Sequence, residues 1–329
     1  MSESELVKRE PDGISQPLSF EAIVRQFLDA QDIKPSSRET YRKGLSQFLL
    51  WLKGTGITKP DRDTILLFKT ELRDRGLSPY SISVYIVAVR QFFRWTAGMR
   101  VYPNIAEGIK TAKNGRGFRK DPLTLDQIRN LLDSIGRDTL AGKRDFALVN
   151  LLIRTGLRTV EAIRADVGDI RQQGGEALLW IQGKGRDSKD EFVVLTPDTL
   201  RPIYEYLQAG GTAGGKDKPL FASISDRNNG TRLTTRSVRR IVKERLRGIG
   251  IDSDRLTAHS LRHSAVTISL EAGATIQEAQ ALARHANINT TLIYAHNIDR
   301  LKNAPERLID KLLGGEIPRP GIDKPDIRA

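Results

Sequence analysis

His259-Ser260-Leu261-Arg262-His263, then Ala283-Arg284-His285, then Thr290-Thr291-Leu292-Ile293-Tyr294-Ala295-His296 hold all 4 histidines of the chain in one C-terminal stretch. An arginine and a tyrosine stand among them. His259 and His263 are four apart and so share one face of a helix, with Arg262 between them. Hydrogen-bond donors, a fixed cation and a phenolic oxygen gathered in one place suit attack on a phosphodiester, whose transition state is strongly anionic. The same histidine spacing occurs on zinc-binding helices, but that pattern needs glutamate after the first histidine, and Ser260 stands there. Arg262 would also repel a divalent cation, so neither a metal nor any other cofactor is expected. His263 reads as packed and hydrogen-bonded in the core, and His296 as a peripheral neighbour of Tyr294.

The whole chain carries 53 Lys+Arg against 40 Asp+Glu, a formal charge of +13, which points to a polyanionic partner. Surplus charge alone also fits a basic protein that gains only solubility from it. With 39% hydrophobic and 28% charged residues among 329, the composition supports two domains with ordinary cores. The absence of cysteine excludes disulfides and thiolate metal sites. The start, Met-Ser-Glu-Ser-Glu, is acidic where a secretory signal is basic and then apolar, and no apolar run approaches a membrane span. A cytoplasmic protein with no membrane partner is expected, placed at the nucleoid if the polyanion is DNA.

Upstream of the histidines, Thr155-Gly156-Leu157-Arg158-Thr159-Val160-Glu161 marks a helix stop and a restart, with Gly156 ending one helix and Arg158 at the mouth of the next. Glu161 lies one turn on and can brace the Arg158 guanidinium; a plain surface ion pair has the same spacing. Alternation over Ala177–Gln182 and Phe192–Leu195 predicts a β-hairpin, with Lys184 between two glycines at its tip. A helix over about Thr235–Arg247 shows Arg236 and Arg239 on a cationic face and Val238, Ile241 and Val242 on an apolar one. Such a helix fits a DNA groove, and equally a core with solvated arginines.

Before these elements, residues 1–17 read as a mobile polar tail, and helical periodicity over residues 18–109 predicts a four-helix domain. Ser36-Ser37 are candidate caps of its second helix, Gly54 and Gly56 its stop, and Ser78-Pro79 the start of its fourth. Exposed faces of the second and fourth helices offer Arg38, Arg42, Lys43, Tyr80, Ser81 and Arg90, a mixture of cations and hydroxyls that phosphate-tracking surfaces use and ordinary solvated faces share. Phe48, Trp51, Phe92, Phe93 and Trp95 fall at helical spacing and read as core. Residues 110–121 are rich in cations and glycine and read as a basic linker between this domain and a second over 122–299, with a helix and tail over 300–329.

Thr-Gly-Leu-Arg158-x-x-Glu161, Gly-Lys184-Gly, His259-x-Leu-Arg262-His263, and His285 nine residues before Tyr294 together resemble the tyrosine recombinase/phage integrase family in identity, order and spacing. The resemblance covers about residues 18 to 313. One departure is Ala283-Arg284-His285, where the family usually has Leu-Gly-His; another is the extra length after Lys184. The resemblance implies a mainly α fold with a small antiparallel β-sheet, a helical SAM-like core-binding domain and an α+β catalytic domain. It implies Tyr294 as nucleophile forming a 3′-phosphotyrosyl link, Arg158 and Arg262 on the phosphoryl oxygens, Lys184 as general acid, and His259 and His285 as donors or proton carriers. Glu161 and His263 would stand behind them. The implied partner is double-stranded DNA with paired inverted-repeat core sites, held by a homotetramer in a Xer-like two-domain layout, with accessory DNA-bending or directionality proteins as further candidates. The rival classes are a type IB topoisomerase and a non-catalytic architectural DNA-binding protein.

Overall fold

The computed structural model describes residues 20–112, 120–183, 185–211, 215–302 and 304–313, without the side chains of residues 300–302. The tail expected over residues 1–17, most of the basic linker, Lys184 and everything after Leu313 lie outside the described residues. The chain forms two compact units, divided between Arg116 and Gly117.

The N-terminal unit is helical: α1 (Phe20–Asp29), α2 (Pro35–Thr55), α3 (Arg62–Asp74) and α4 (Pro79–Gly98). Ser78 accepts the Ser81 N–H and Pro79 occupies the first turn of α4, the arrangement its sequence predicts. At α2 the start differs. Proline's fixed φ lets the helix begin at Pro35, with Lys34 as the extended residue before it, so Ser36 and Ser37 lie inside the first turn and do not cap it. Gly54 is likewise helical, and the stop falls at Gly56, whose φ of 70° suits a residue without Cβ.

Aromatic side chains from all four helices fill this core. Phe48 meets Phe68 edge-on at 5.1 Å, Phe27 meets Phe92 at 5.6 Å, and Phe92 meets Phe93 at 5.2 Å. Where α2 crosses α4, a Cβ on Gly44 would come within 2.8 Å of the Ala88 methyl, so glycine there allows the close approach.

The second unit runs α5 (Leu125–Asp133), α6 (Leu140–Thr155), α7 (Thr159–Arg164), β1 (Ile170–Gln173), β2 (Glu176–Ile181), β3 (Glu191–Val194), α8 (Pro197–Tyr206), α9 (Thr235–Gly248), α10 (Ala258–Glu271), α11 (Ile276–Ala283), α12 (Asn289–Lys302) and α13 (Pro305–Leu312). The mainly α class with a small antiparallel sheet is therefore correct. Helix α6 is central: Ala147 through Ile153 are all buried, and it packs against α8 and α10. The predicted hairpin is β2–β3, with Leu178 opposite Val194 and Trp180 opposite Phe192. A third strand, β1, joins β2 in antiparallel register through the turn Gly174-Gly175. Alternation did not predict it because Arg171, Gln172 and Gln173 are all exposed, and only backbone pairing holds the strand.

Candidate active site

Helix α6 stops at Gly156, in the left-handed conformation (φ 60°, ψ 22°), and this turns its carbonyl into the unit's interior. Two extended residues later the chain restarts as α7, with Arg158 at its mouth. Glu161, fully buried one turn on, accepts the Arg158 backbone N–H at 2.8 Å on one carboxylate oxygen and Arg158 Nη1 at 2.7 Å on the other. The pair expected from sequence forms, and it is half-buried rather than a surface ion pair.

Helix α10 begins at Thr257, whose hydroxyl caps it in exchange with Ser260, so Ser260 serves the helix end. It delivers His259, Arg262 and His263. Arg262 is 3% exposed; it donates to the Gly156 carbonyl at 2.6 Å and to the Ala283 carbonyl at the end of α11. Those two bonds lock the guanidinium between two helix ends. After Ala283 comes Arg284, itself left-handed at φ 51°, ψ 50°, and then His285, whose Nδ1 lies 2.9 Å from the buried Thr291 hydroxyl of α12.

Tyr294, one turn further along α12, is 4% exposed, and its hydroxyl lies 2.5 Å from His263 Nδ1. The ring of His263 in turn stands edge-on to His259 at 4.6 Å, and His285 flanks the tyrosine ring at 6.2 Å. Arg158, Glu161, His259, Arg262, His263, His285 and Tyr294 are thus brought together. His296 is exposed and takes no part in the cluster. Lys184 lies outside the described residues, between β2 and β3 in the chain.

The electrostatics favour a neutral histidine set beside fixed cations. Burial, then the charges of neighbouring His259, Arg262 and His285, pushes His263 down to about 3. Burial followed by Arg262 and Arg158 pushes His285 down to about 4, and the same causes lower His259. Tyr294 is pushed up to about 12 by burial, with Arg262 pulling the other way. At neutral pH the phenol therefore keeps its proton, and an uncharged imidazole nitrogen stands next to it. Three guanidiniums, of Arg158, Arg262 and Arg284, share one carboxylate, Glu161, so the cluster carries net positive charge suited to an anion. No group of three or more histidine, cysteine or acidic side chains suited to a metal occurs among the described residues.

Sequence reasoning noticed Arg284 only as a departure from a pattern, and did not anticipate that its side chain would enter the cluster. The signal was an arginine at a helix C-terminus where a left-handed residue is needed. The contact between His263 and Tyr294 carried no sequence signal at all.

Of the surface residues, Arg42 and Lys43 on α2 both pair with Glu39, and Arg38 lies 3.8 Å from Asp29. Tyr80 is exposed, Arg90 half-buried, and Ser81 is engaged with Ser78 at the α4 cap. Arg236 and Arg239 stand exposed on α9, opposite the buried Val238, Ile241 and Val242; Lys243 and Arg247 are drawn to Asp252, and Arg245 to Asp145.

Fold and site together define a class, and the chain belongs to the phage integrase family of tyrosine recombinases. The phage integrase family model matches residues 122–300, and the phage integrase N-terminal SAM-like domain matches residues 25–98. Tyrosine recombinase XerD of Listeria innocua is 31% identical over 280 residues, 83% of this chain and 90% of that protein. Tyrosine recombinase XerA of Pyrococcus furiosus is 32% identical over 297 residues, 89% and 97% of the two chains. Among solved structures, the XerH site-specific recombinase bound to palindromic difH substrate, a post-cleavage complex, superposes with a TM-score of 0.70 over 88% of this chain and 84% of that one. At 21% identity that likeness concerns the fold. The chain is accordingly an enzyme of the recombinase/integrase class, and no helix among its described residues is long and apolar enough to cross a membrane.

Proposed function

We propose that this chain cuts and rejoins DNA strands at specific sites through a covalent link to Tyr294, with no ATP and no metal ion taking part. The observation that carries the proposal is the Tyr294 hydroxyl on His263 Nδ1 at 2.5 Å, in a cluster whose guanidiniums exceed its carboxylates. Tyr294 Oη attacks the scissile phosphorus, and the bond from phosphorus to the 5′-oxygen breaks. The phenolic proton passes to His263 Nδ1, the acceptor already in contact with it, and Lys184 supplies a proton to the leaving 5′-oxygen. Arg158 and Arg262 hold the non-bridging oxygens as negative charge builds.

A neutral His285 that accepts the Thr291 hydroxyl proton on Nδ1 carries its own hydrogen on Nε2, the tautomer that can donate to a phosphoryl oxygen; His259 is the other donor. The phosphotyrosyl bond conserves the energy of the broken one, so a different 5′-hydroxyl can reverse the reaction and strands are exchanged.

Arg38, Arg42, Lys43, Tyr80, Ser81, Arg90, Arg236 and Arg239 are proposed to track the DNA backbone. Paired inverted repeats would seat a tetramer, and α13 supports this: Leu308, Ile309, Leu312 and Leu313 are between 54% and 87% exposed, an apolar face suited to a neighbouring protomer. The cytoplasm is the compartment that fits such a substrate.

The test uses a pool of nicked duplexes with randomised inverted-repeat arms, in which a cut next to the nick releases a short fragment and prevents religation. Wild-type protein should form a denaturant-resistant adduct with some members, and Tyr294→Phe should form none while still shifting the same duplexes in a gel. An adduct with the Phe variant would assign the nucleophile elsewhere.

A further inference from the structure

Arg284 occupies a place where glycine is the least strained residue, since its φ of 51° lies in the left-handed region that Cβ disfavours. It also buries a cation: the side chain is 8% exposed, and its Nε has no hydrogen-bond partner among the described residues. Both features work against stability, so arginine here calls for a role beyond ending α11.

Its contacts indicate that role. Arg284 Nη2 donates to Glu161 at 3.0 Å, on the oxygen that also receives the Arg158 backbone N–H, and reaches the Gly156 carbonyl at 3.3 Å. Its own carbonyl accepts Arg158 Nη2 at 3.3 Å. Glu161 is therefore gripped from the buried side by Arg284 and from the open side by Arg158, whose side chain is 28% exposed. With Arg284 absent, a fully buried carboxylate would have Arg158 as its remaining direct ion-pair partner and would draw that guanidinium inward. Arg158, Arg284 and His285 line one cleft, together with Gly183 and Arg186.

We propose that Arg284 is a positioning residue, which neutralises Glu161 from behind and holds Arg158 through its carbonyl so that the Arg158 guanidinium stays turned toward the scissile phosphate. The inference rests on the recombinase function proposed above and adds a residue to it. It predicts that the arginine is kept for rate and not for folding.

The experiment takes a duplex recovered from the nicked pool and compares wild type, Arg284→Gly and Arg284→Lys. Arg284→Gly relieves the backbone, so its melting temperature should equal or exceed that of wild type. Its rate of adduct formation should fall roughly tenfold or more, the scale of losing one charge-assisted contact, while DNA affinity in a Tyr294→Phe background changes less than about twofold. Arg284→Lys keeps a charge within reach of Glu161 and should recover part of the rate. The acid limb of the rate profile should move to higher pH in Arg284→Gly alone, because Glu161, which faces Arg158, Arg262 and Arg284, then loses one of the cations that keep it ionised. Wild-type rate in Arg284→Gly overturns the inference and leaves the recombinase function standing. So does a slower variant that neither lysine restores nor pH separates from wild type. Failure of the wild-type chain itself to form any adduct overturns the function on which the inference rests.

Discussion

Glu161→Gln removes a charge and almost no volume from the centre of the cluster. The carboxylate accepts three N–H groups: the Arg158 backbone at 2.8 Å, Arg158 Nη1 at 2.7 Å and Arg284 Nη2 at 3.0 Å. Glutamine offers one accepting oxygen, so its amide must point N–H at a donor, and two buried cations lose their counter-charge. Breaking a buried pair while leaving the cation behind costs about 3–5 kcal/mol. The glutamine oxygen retains some of the bonding, so about 3 kcal/mol is expected, and at about 2–4 °C per kcal/mol for a domain of this size the melting temperature should fall by about 6–12 °C.

Thermal unfolding followed by circular dichroism measures this, and its pH dependence gives the sign. Burial pushes the Glu161 carboxyl up, but Arg284 and Arg158 outweigh it, so the folded pKa lies below the ordinary 4.5. The stabilisation is therefore complete above the unfolded value and is lost as the pH falls through the lower folded one. The gap between wild type and variant should be constant between about pH 6 and 8 and close only below about 4.5. A fall of less than about 2 °C at neutral pH would refute the reasoning, because the arginines would then be solvated well enough to need no buried partner.

Three further outcomes are expected. Because His263 is pushed down to about 3, its imidazole signals in the free protein should not titrate across the usual histidine range near 6.5, and an inflection there by nuclear magnetic resonance would show that the ring is not held neutral against Tyr294. Deleting residues 304–329 should leave the melting temperature within about 2 °C, since the apolar side chains of α13 stand exposed, while cooperative assembly on paired sites fails and half-site binding survives; a large loss of stability would mean the helix docks on its own chain. Lys184→Ala should cut a normal phosphodiester slowly but recover on a substrate whose leaving atom is a 5′-bridging sulfur, which needs little protonation; no recovery would assign Lys184 to DNA positioning.

What the sequence by itself determined about this protein is whatever a few neighbouring residues decide. Ser78-Pro79 starts α4 and Gly156 ends α6 because caps and left-handed stops depend on local backbone chemistry. The Arg158–Glu161 brace was legible for the same reason, since three residues make one turn. Where local signals compete, as at Pro35 against Ser36 and Ser37, or where a strand such as β1 has no apolar alternation, the neighbours mislead or fall silent. Only the tertiary structure decided that Arg284 shares Glu161 across 123 residues of chain, and that the hydroxyl of Tyr294 rests on His263, 31 residues away. Those contacts arise because α6, α10, α11 and α12 bring their ends and faces together around a buried carboxylate, and the packing that does so is a property of the whole unit and of no short segment.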